Sequence, residues 1–160
     1  MMDKEKIKAI KEKALRAWTE DKIFLSKEWI ENENTQKKRN MVRGAIHICK
    51  LGENIGSEQN EERPVLIISN DLVNSTGGNV TVIPLTSRLT KKTVKGKEVP
   101  KYRSHYFLKK DDYDFLTYDS ALKCEDITTV SKIRLGDYLG NVTDSDLSKV
   151  LIRVKWVFGI

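Results

Sequence analysis

Long apolar runs are missing from this chain, and so are internal repeats and low-complexity tracts. No hydrophobic stretch approaches the roughly 20 residues that a membrane-spanning helix requires. The N-terminal residues Met1–Lys6 include Asp3, Lys4, Glu5 and Lys6, which is too much charge for a signal peptide. We therefore expect a cytoplasmic protein with no membrane segment.

Cysteine and histidine are also scarce, with two of each in the chain. Cys49 and Cys124 lie in strand-like surroundings, and we interpret both as small, reduced, buried side chains. A zinc site is the alternative, because His47 and Cys49 would share one face of a strand. Only His105 and Cys124 remain to complete such a site, and no paired ligand motif is present. We expect neither a metal nor a cofactor.

Charge is abundant by contrast. Charged residues make up 32% of the 160-residue chain, the net charge is +6 and the pI is about 9.2. This balance favours a polyanionic partner such as RNA, or an acidic protein. The length fits one domain plus an appendage.

The first forty residues differ from the rest. Apolar residues at three- and four-residue spacing from Ile7 to Trp18 predict an amphipathic helix, whose apolar face must be buried on the same chain or on a partner. A second helix is predicted over residues 21–33, and the polar stretch 32–40 is interpreted as a linker. We therefore divide the chain into a helical extension, residues 1–40, and a main domain, residues 41–160.

Short β-branched runs alternate with turn signals beyond residue 40, as in a small β-barrel or sandwich. Residues 74–79 are expected to form a turn and residues 91–98 an exposed loop. A Thr-Asp-Ser-Asp sequence at residues 143–146 predicts the start of a final helix. The predicted strands are 45–51, 64–69, 79–85, 105–108, 120–124 and 126–133.

A polar, glycine-containing loop leads into an Arg-Pro pair at the head of the second predicted strand. The guanidinium of Arg63 is thereby fixed where its forked donors can hold a phosphate. The next strand ends in Pro84-Leu85-Thr86-Ser87. Together with Arg43-Gly44 and Gly56-Ser57-Glu58-Gln59 upstream, and with residues 120–122 and 128–135 downstream, this pattern resembles the MazF/PemK family of toxins, which are messenger-RNA endoribonucleases.

The resemblance covers about residues 41–160 and implies a fold. The expected class is α+β, an SH3-like small β-barrel of the CcdB/MazF kind with a C-terminal helix and an added N-terminal helical segment. It also implies that RNA is cleaved by its own 2′-hydroxyl, without a metal. Products would then carry a 2′,3′-cyclic phosphate and a 5′-hydroxyl.

By the same resemblance, Arg63 and Thr86 are the catalytic pair. A guanidinium suits the charge that builds on the phosphate oxygens, whereas its high pKa makes it a poor base. The hydroxyl of Thr86 can donate to a phosphate oxygen. The expected RNA-binding residues are Ser57, Glu58, Gln59, Ser87, Arg88 and His105, and Glu58 is also a candidate proton acceptor.

Simpler interpretations of these residues remain open. The loop 56–62 can be a solvated hairpin without chemistry, and Arg63 can pair with Glu61 or Glu62. His47 is interpreted as a packed ring. Four tyrosines interleaved with basic residues can stack on single-stranded RNA or form aromatic pairs in the sheet; they are Tyr102, Tyr106, Tyr113 and Tyr118.

Two other functions compete with the endoribonuclease. The ending Trp156–Ile160 is similar to the terminus of the CcdB gyrase poisons, which share the expected fold. A non-catalytic module that binds nucleic acid or protein is the second rival. The loop at 56–59 and the pair Arg63-Pro64 favour the endoribonuclease.

The resemblance further implies a homodimer, an mRNA substrate and an acidic cognate antitoxin with a partly disordered tail.

Overall fold

The computed structural model describes all 160 residues. None of its helices combines the length and the apolar character that crossing a bilayer requires. Short 3-10 turns lie at Lys110–Asp112, Cys124–Asp126 and Lys132–Arg134. The other elements, in chain order, are α1 (Lys4–Lys37), β1 (Ala45–Gly52), β2 (Glu61–Ile67), α2 (Asp71–Thr76), β3 (Asn79–Thr86), β4 (Lys91–Val94), β5 (Lys97–Pro100), β6 (His105–Leu108), β7 (Ser120–Lys123), β8 (Thr128–Ser131), β9 (Leu135–Asn141) and α3 (Asp144–Phe158).

Seven of the nine strands form one antiparallel sheet. Its order is β6-β7-β3-β2-β1-β9, and β8 pairs with the first half of β3. The predicted α+β class is confirmed, with a helix at each end of the chain. The sheet itself is open, because its outer strands β6 and β9 do not pair with each other and no barrel closes.

The sheet has an apolar layer on each face. Alternate residues of β1 and β2 point to opposite faces, as the two-residue repeat of a strand requires: Ile46 and Leu66 lie in one buried cluster, Cys49 and Val65 in the other. Helix α3 covers the first cluster through Val150. Both cysteines are free and buried, as predicted, and burial raises the pKa of each thiol to about 12.

The ends of several strands that matter for function lie together at one edge of the sheet. Strands β1 and β3 both run antiparallel to β2 and hence parallel to each other. Their last residues, Gly52 and Thr86, therefore lie at the same edge, together with the start of β2. Strand β7 also begins there, since Thr86 pairs with Ala121.

Helix α1 is longer than predicted. It continues through most of the expected linker and ends at Lys37, with a kink at Asn32, where φ is −120° and ψ is 20°. The expected burial of its apolar face is only partly realised, because Ile7 and Ile10 are 49% and 59% exposed. The side chains that dock the helix are Trp18 and Trp29, which pack against Gly52 and Gly78.

Three other segments differ from the sequence prediction. The exposed loop at 91–98 belongs to a hairpin of β4 and β5, whose turn has positive φ at both Lys95 and Gly96, as the tight hairpin turn demands. Helix α2 begins between the predicted strand 64–69 and the predicted turn 74–79, where no helix was predicted, and the Asn70 side chain caps it. Strand β9 was not predicted, since its Gly and Asp residues are poor strand formers and pairing with β1 overrides that preference.

Candidate active site

A groove of about 850 Å³ lies at the sheet edge where β1, β2, β3 and β7 meet. One wall is the β1–β2 loop with the start of β2, and the floor is the end of β3. The opposite wall comes from the segment before β7, which includes Phe115 and Tyr118. Predicted site residues that line the groove are Ser57, Glu58, Gln59, Arg63, Thr86, Ser87 and Arg88.

Arg63 is held in this groove by two neighbours from its own loop. Its Nε donates to the carbonyl of Asn60 at 2.7 Å, and Nη1 donates to Oε1 of Gln59 at 2.7 Å. The side chain forms no ion pair with Glu61 or Glu62, so that simpler interpretation is wrong. Because Nη2 has no partner in the protein, the guanidinium keeps donors for an anion.

Gln59 links Arg63 to the far side of the site. While its oxygen accepts from Arg63, its Nε2 donates to Oδ2 of Asp126 at 2.6 Å. Asp126 lies in the 3-10 turn after β7, 67 positions from Gln59 in sequence. Asp126 is not among the site residues predicted from the sequence, and it lies between the two downstream segments of the family pattern, residues 120–122 and 128–135.

The β1–β2 loop is ordered by side-chain hydrogen bonds. Asn54 donates from Nδ2 to the carbonyl of Gln59 at 2.8 Å, and its backbone N–H donates to Oδ1 of Asn60 at 2.7 Å. Oε2 of Glu58 accepts from the N–H of Ile55 at 2.9 Å. The loop is therefore a built wall of the groove rather than an unstructured solvated hairpin.

Thr86 stands at the last position of β3, opposite the start of β7. Its Oγ1 accepts from the backbone N–H of Arg88 at 3.2 Å. An accepting hydroxyl retains its proton for donation, so Thr86 can donate to a ligand in the groove. Ser87 and Arg88 follow directly and are exposed.

The wall opposite the loop was the part that sequence analysis mostly missed. Its residues are Phe115, Leu116, Thr117, Tyr118, Ser120 and Lys123. Of the four tyrosines considered for RNA stacking, Tyr118 lines the groove and is 66% exposed. Tyr106 and Tyr113 instead donate their hydroxyls to Asp146, away from the groove.

His105 is not part of this groove. The ring is 3% exposed, its Nε2 lies 2.8 Å from Oε1 of Glu125, and it packs against Tyr102. The structure therefore separates His105 from the other predicted RNA-binding residues. His47 is likewise a packed ring, as predicted: it contacts Tyr138, and burial lowers its pKa.

Comparison with known proteins agrees with this geometry. The profile of the "PemK-like, MazF-like toxin of type II toxin-antitoxin system" matches residues 42–158. The chain belongs to this family. Endoribonuclease MazF of Staphylococcus saprophyticus is 34% identical over 110 residues, which is 69% of this chain and 84% of the relative. Endoribonuclease EndoA of Bacillus subtilis is 32% identical over 68% of this chain and 85% of its own length.

Solved structures of PemK/MazF toxins share the fold. An endoribonuclease from a mycobacterial species is 25% identical, with a TM-score of 0.56 over 76% of this chain and 94% of that one. MazF from Deinococcus radiodurans has a TM-score of 0.60 at 20% identity, over 76% of this chain and 99% of that one. These comparisons confirm the predicted family and fold class. They also confirm the predicted general function, an endoribonuclease toxin of a toxin–antitoxin system.

Proposed function

We propose that this PemK/MazF toxin cleaves single-stranded RNA in the groove at the sheet edge, by attack of the 2′-hydroxyl on the adjacent phosphate. The new 2′-O–P bond closes a 2′,3′-cyclic phosphate while the P–O5′ bond breaks, and the 5′-oxygen takes up a proton and leaves as a 5′-hydroxyl. The observation that carries the proposal is that Arg63 and Thr86 stand at neighbouring strand ends in one groove, each with a hydrogen-bond donor left free. Two preorganised donors aimed at one phosphate stabilise the charge that develops on its oxygens.

Each residue has a distinct part in this mechanism. Arg63 is held by Asn60 and Gln59 through Nε and Nη1, which leaves Nη2 free to donate to the phosphate, and the guanidinium charge neutralises it. The Thr86 hydroxyl donates to a second phosphate oxygen. Since a guanidinium is a poor base, the 2′ proton passes to another acceptor, and Glu58 is the carboxylate of the loop that lines the groove. We assign Ser57, Gln59, Ser87 and Arg88 to binding the flanking nucleotides.

The wall that contains Tyr118 fits this substrate. An exposed aromatic ring offers a face on which an unpaired base stacks, and Lys123 nearby offers charge to the backbone. No observation favours the gyrase-poison or the non-catalytic alternative over RNA cleavage, because the groove residues follow the endoribonuclease pattern. The resemblance to the gyrase poisons rested on the ending Trp156–Ile160, in which Phe158 and Ile160 are 57% and 87% exposed.

The partners follow from the family. We propose that the chain forms a homodimer and is neutralised by an acidic cognate antitoxin. In support, one of the solved relatives is an endoribonuclease in complex with its cognate antitoxin, with a TM-score of 0.56 to this chain. The net charge of +6 suits an acidic partner as well as RNA.

Analysis of the product ends tests the proposed reaction. Purified protein is incubated with single-stranded RNA in the presence of excess chelator, and the ends of the fragments are identified chemically. We expect full activity, 2′,3′-cyclic phosphate ends and 5′-hydroxyl ends, because the attack uses no metal. Activity that disappears with chelator and returns with magnesium would overturn the mechanism.

A further inference from the structure

We propose that the basic N-terminal part of α1, residues 4–16, is a second RNA-binding surface that holds the phosphate backbone of the strand beyond the cleavage groove. This inference rests on the proposed function, because it names where additional nucleotides of the same substrate lie. Three observations carry it: the direction of α1, the segregation of its charge, and the exposure of its first turns.

The direction of α1 is fixed by three contacts along the sheet. Trp29 packs on Gly78 just before β3, and Trp18 packs on Gly52 at the end of β1. Further towards the N-terminus, Nζ of Lys11 lies 2.9 Å from Oε2 of Glu53, the first residue after β1. The helix therefore runs with its N-terminus towards the edge that carries the groove. Glu53 begins the same loop that supplies Gln59.

The charge of α1 is divided along its length. Residues 1–16 contain six basic and three acidic side chains, a net charge of +3. Residues 19–33 contain two basic and five acidic side chains, a net charge of −3. The basic half is the one at the groove edge. Lysines near a helix N-terminus oppose the helix dipole, so helix stability alone does not account for this arrangement.

The basic N-terminal part of α1 is also free to contact RNA. Residues 1–10 are all exposed. Lys4 precedes Lys11 by seven positions, so the helix extends roughly 10 Å past the contact with Glu53, at about 1.5 Å per residue. The ion pairs of this half are Lys8–Glu5, Lys11–Glu53 and Arg16–Glu12, which leaves Lys4, Lys6 and Lys13 unpaired.

RNA is the occupant that these features favour. A single strand that leaves the groove past the β1–β2 loop meets the overhanging lysines next, and each lysine that reaches a phosphate releases a counterion. An acidic protein segment would also match the charge. Continuity with the cleavage groove, through Glu53 and the loop that bears Gln59, favours the substrate.

The test compares two RNAs that share one cleavage site. The short RNA covers the groove alone, and the long RNA adds about ten unpaired nucleotides on each side, a length suited to single-strand binding sites. A 2′-deoxy nucleotide at the scissile position blocks 2′-hydroxyl attack, so that affinities can be measured over a range of salt concentrations. The variant is Lys4→Gln/Lys6→Gln/Lys13→Gln. The matched control removes three charges outside residues 4–16, two from the second half of α1 and one directly after the helix: Lys22→Gln/Lys27→Gln/Lys38→Gln.

We expect the unaltered protein to bind the long RNA more tightly than the short one. The Lys4/Lys6/Lys13 variant should lose most of that gain, and the slope of log affinity against log salt should fall by about 2, since each phosphate contact to a single strand contributes about 0.7. Its affinity for the short RNA and its rate of cleaving an unmodified short RNA should stay unchanged. The control variant should behave as the unaltered protein.

Other results would overturn the inference. Equal losses in both variants would mean a general effect of net charge, and no loss in either would mean that the helix does not touch RNA. Weaker binding of polyglutamate with unchanged RNA binding would assign the surface to an acidic protein. If the unaltered protein cleaves neither RNA, the proposed function fails by itself, and the length-dependent binding is still read from the uncleavable RNAs. Circular dichroism confirms that each variant keeps its helix.

Discussion

At the scale of single residues, the guanidinium of Arg63 is oriented before any substrate arrives. Two of its nitrogens are already engaged by Asn60 and Gln59, and Gln59 is itself fixed by Asp126. A lysine cannot reproduce this arrangement, because it has one charged nitrogen and no planar fork. We therefore propose that the site requires orientation at this position, and not only charge.

The chemistry of Arg63 and Thr86 gives a paired prediction. Arg63→Lys should lose nearly as much activity as Arg63→Ala, about 10²–10³ in cleavage rate, which is the usual cost of one preorganised donor to a developing anion. Thr86→Ser should keep most activity because the hydroxyl survives, whereas Thr86→Val, which has a similar shape, should not. Cleavage rates on a defined RNA check both, and circular dichroism checks folding. Wild-type rates from Arg63→Ala would show that the groove is not the site.

At the scale of elements, α3 is tied to the sheet by a shared carboxylate. Tyr106 of β6 and Tyr113 both donate to Asp146 in the first turn of α3, whose backbone N–H is capped by Thr143. Burial by itself would raise the pKa of Asp146, but the hydrogen bonds from the two tyrosines outweigh it, and the pKa is lowered. The charged form of Asp146 is therefore the one that stabilises the fold.

This lowered pKa predicts a pH-dependent stability. Stabilisation by Asp146 is present above the pKa of about 3.9 that an aspartate has in an unfolded chain, and it is lost as the pH falls through the lower folded value. Asp146→Asn should lower the free energy of unfolding at pH 7 by about 1–2 kcal/mol, the worth of partly exposed charged hydrogen bonds. The difference should shrink below about pH 4. Urea unfolding at several pH values measures it, with the exposed Asp144→Asn as the control.

The docking of α1 predicts a second effect at this scale. Gly52 has a φ of +81°, and a Cβ added there would lie 2.0 Å from Trp18. Gly52→Ala should therefore displace Trp18, change tryptophan fluorescence and lower stability by about 1–3 kcal/mol, the range for overpacking a filled site. Gly96→Ala is the matched control, since Gly96 has a φ of +76° but open space around it. Equal effects from both would mean that backbone strain alone matters.

At the scale of the whole molecule, the division at residue 40 remains a prediction, and the structure suggests a sharper form of it. The ammonium of Lys132 is fully buried and donates to the carbonyls of Lys37 and Arg39, at 2.7 and 3.2 Å. Arg39 in turn donates to the carbonyls of Lys132 and Leu135. The residues just before Met41 thus satisfy polar groups of the main domain.

Two truncated proteins test this division. A chain that begins at Met41 should still cleave a short RNA, because the groove is built from residues 48–139. It should be less stable than a chain that begins at Glu33, just after the kink, by about 1–3 kcal/mol, the cost of leaving buried polar groups without partners. Thermal unfolding and cleavage assays compare the two. A folded but inactive protein from Met41 would show that α1 helps to form the active site.

The sequence alone was sufficient to predict the family, the α+β class and most of one wall of the groove. These features depend on local signals: a Gly-containing loop, an Arg-Pro pair before a β-branched run, and a Thr at a strand end. Such signals can be interpreted without the tertiary structure because the residues concerned are neighbours in the chain. The position of His105 outside the groove could not be predicted, since a histidine in a strand says nothing about which face it occupies or whether Glu125 will pair with it.

The tertiary structure decided what depends on distant partners. The link from Gln59 to Asp126 joins two segments far apart in sequence, and the wall with Tyr118 reaches Thr86 only because β7 pairs with β3. Strand β9 forms against its own residue preferences because β1 supplies a pairing edge. The direction of α1 brings its basic N-terminal part to the groove edge. This direction is set by the packing of Trp18 on Gly52 and of Trp29 on Gly78. The spacing of apolar residues predicts that α1 has an apolar face. Which side chains of that face are buried depends on the shape of the sheet on which the helix packs.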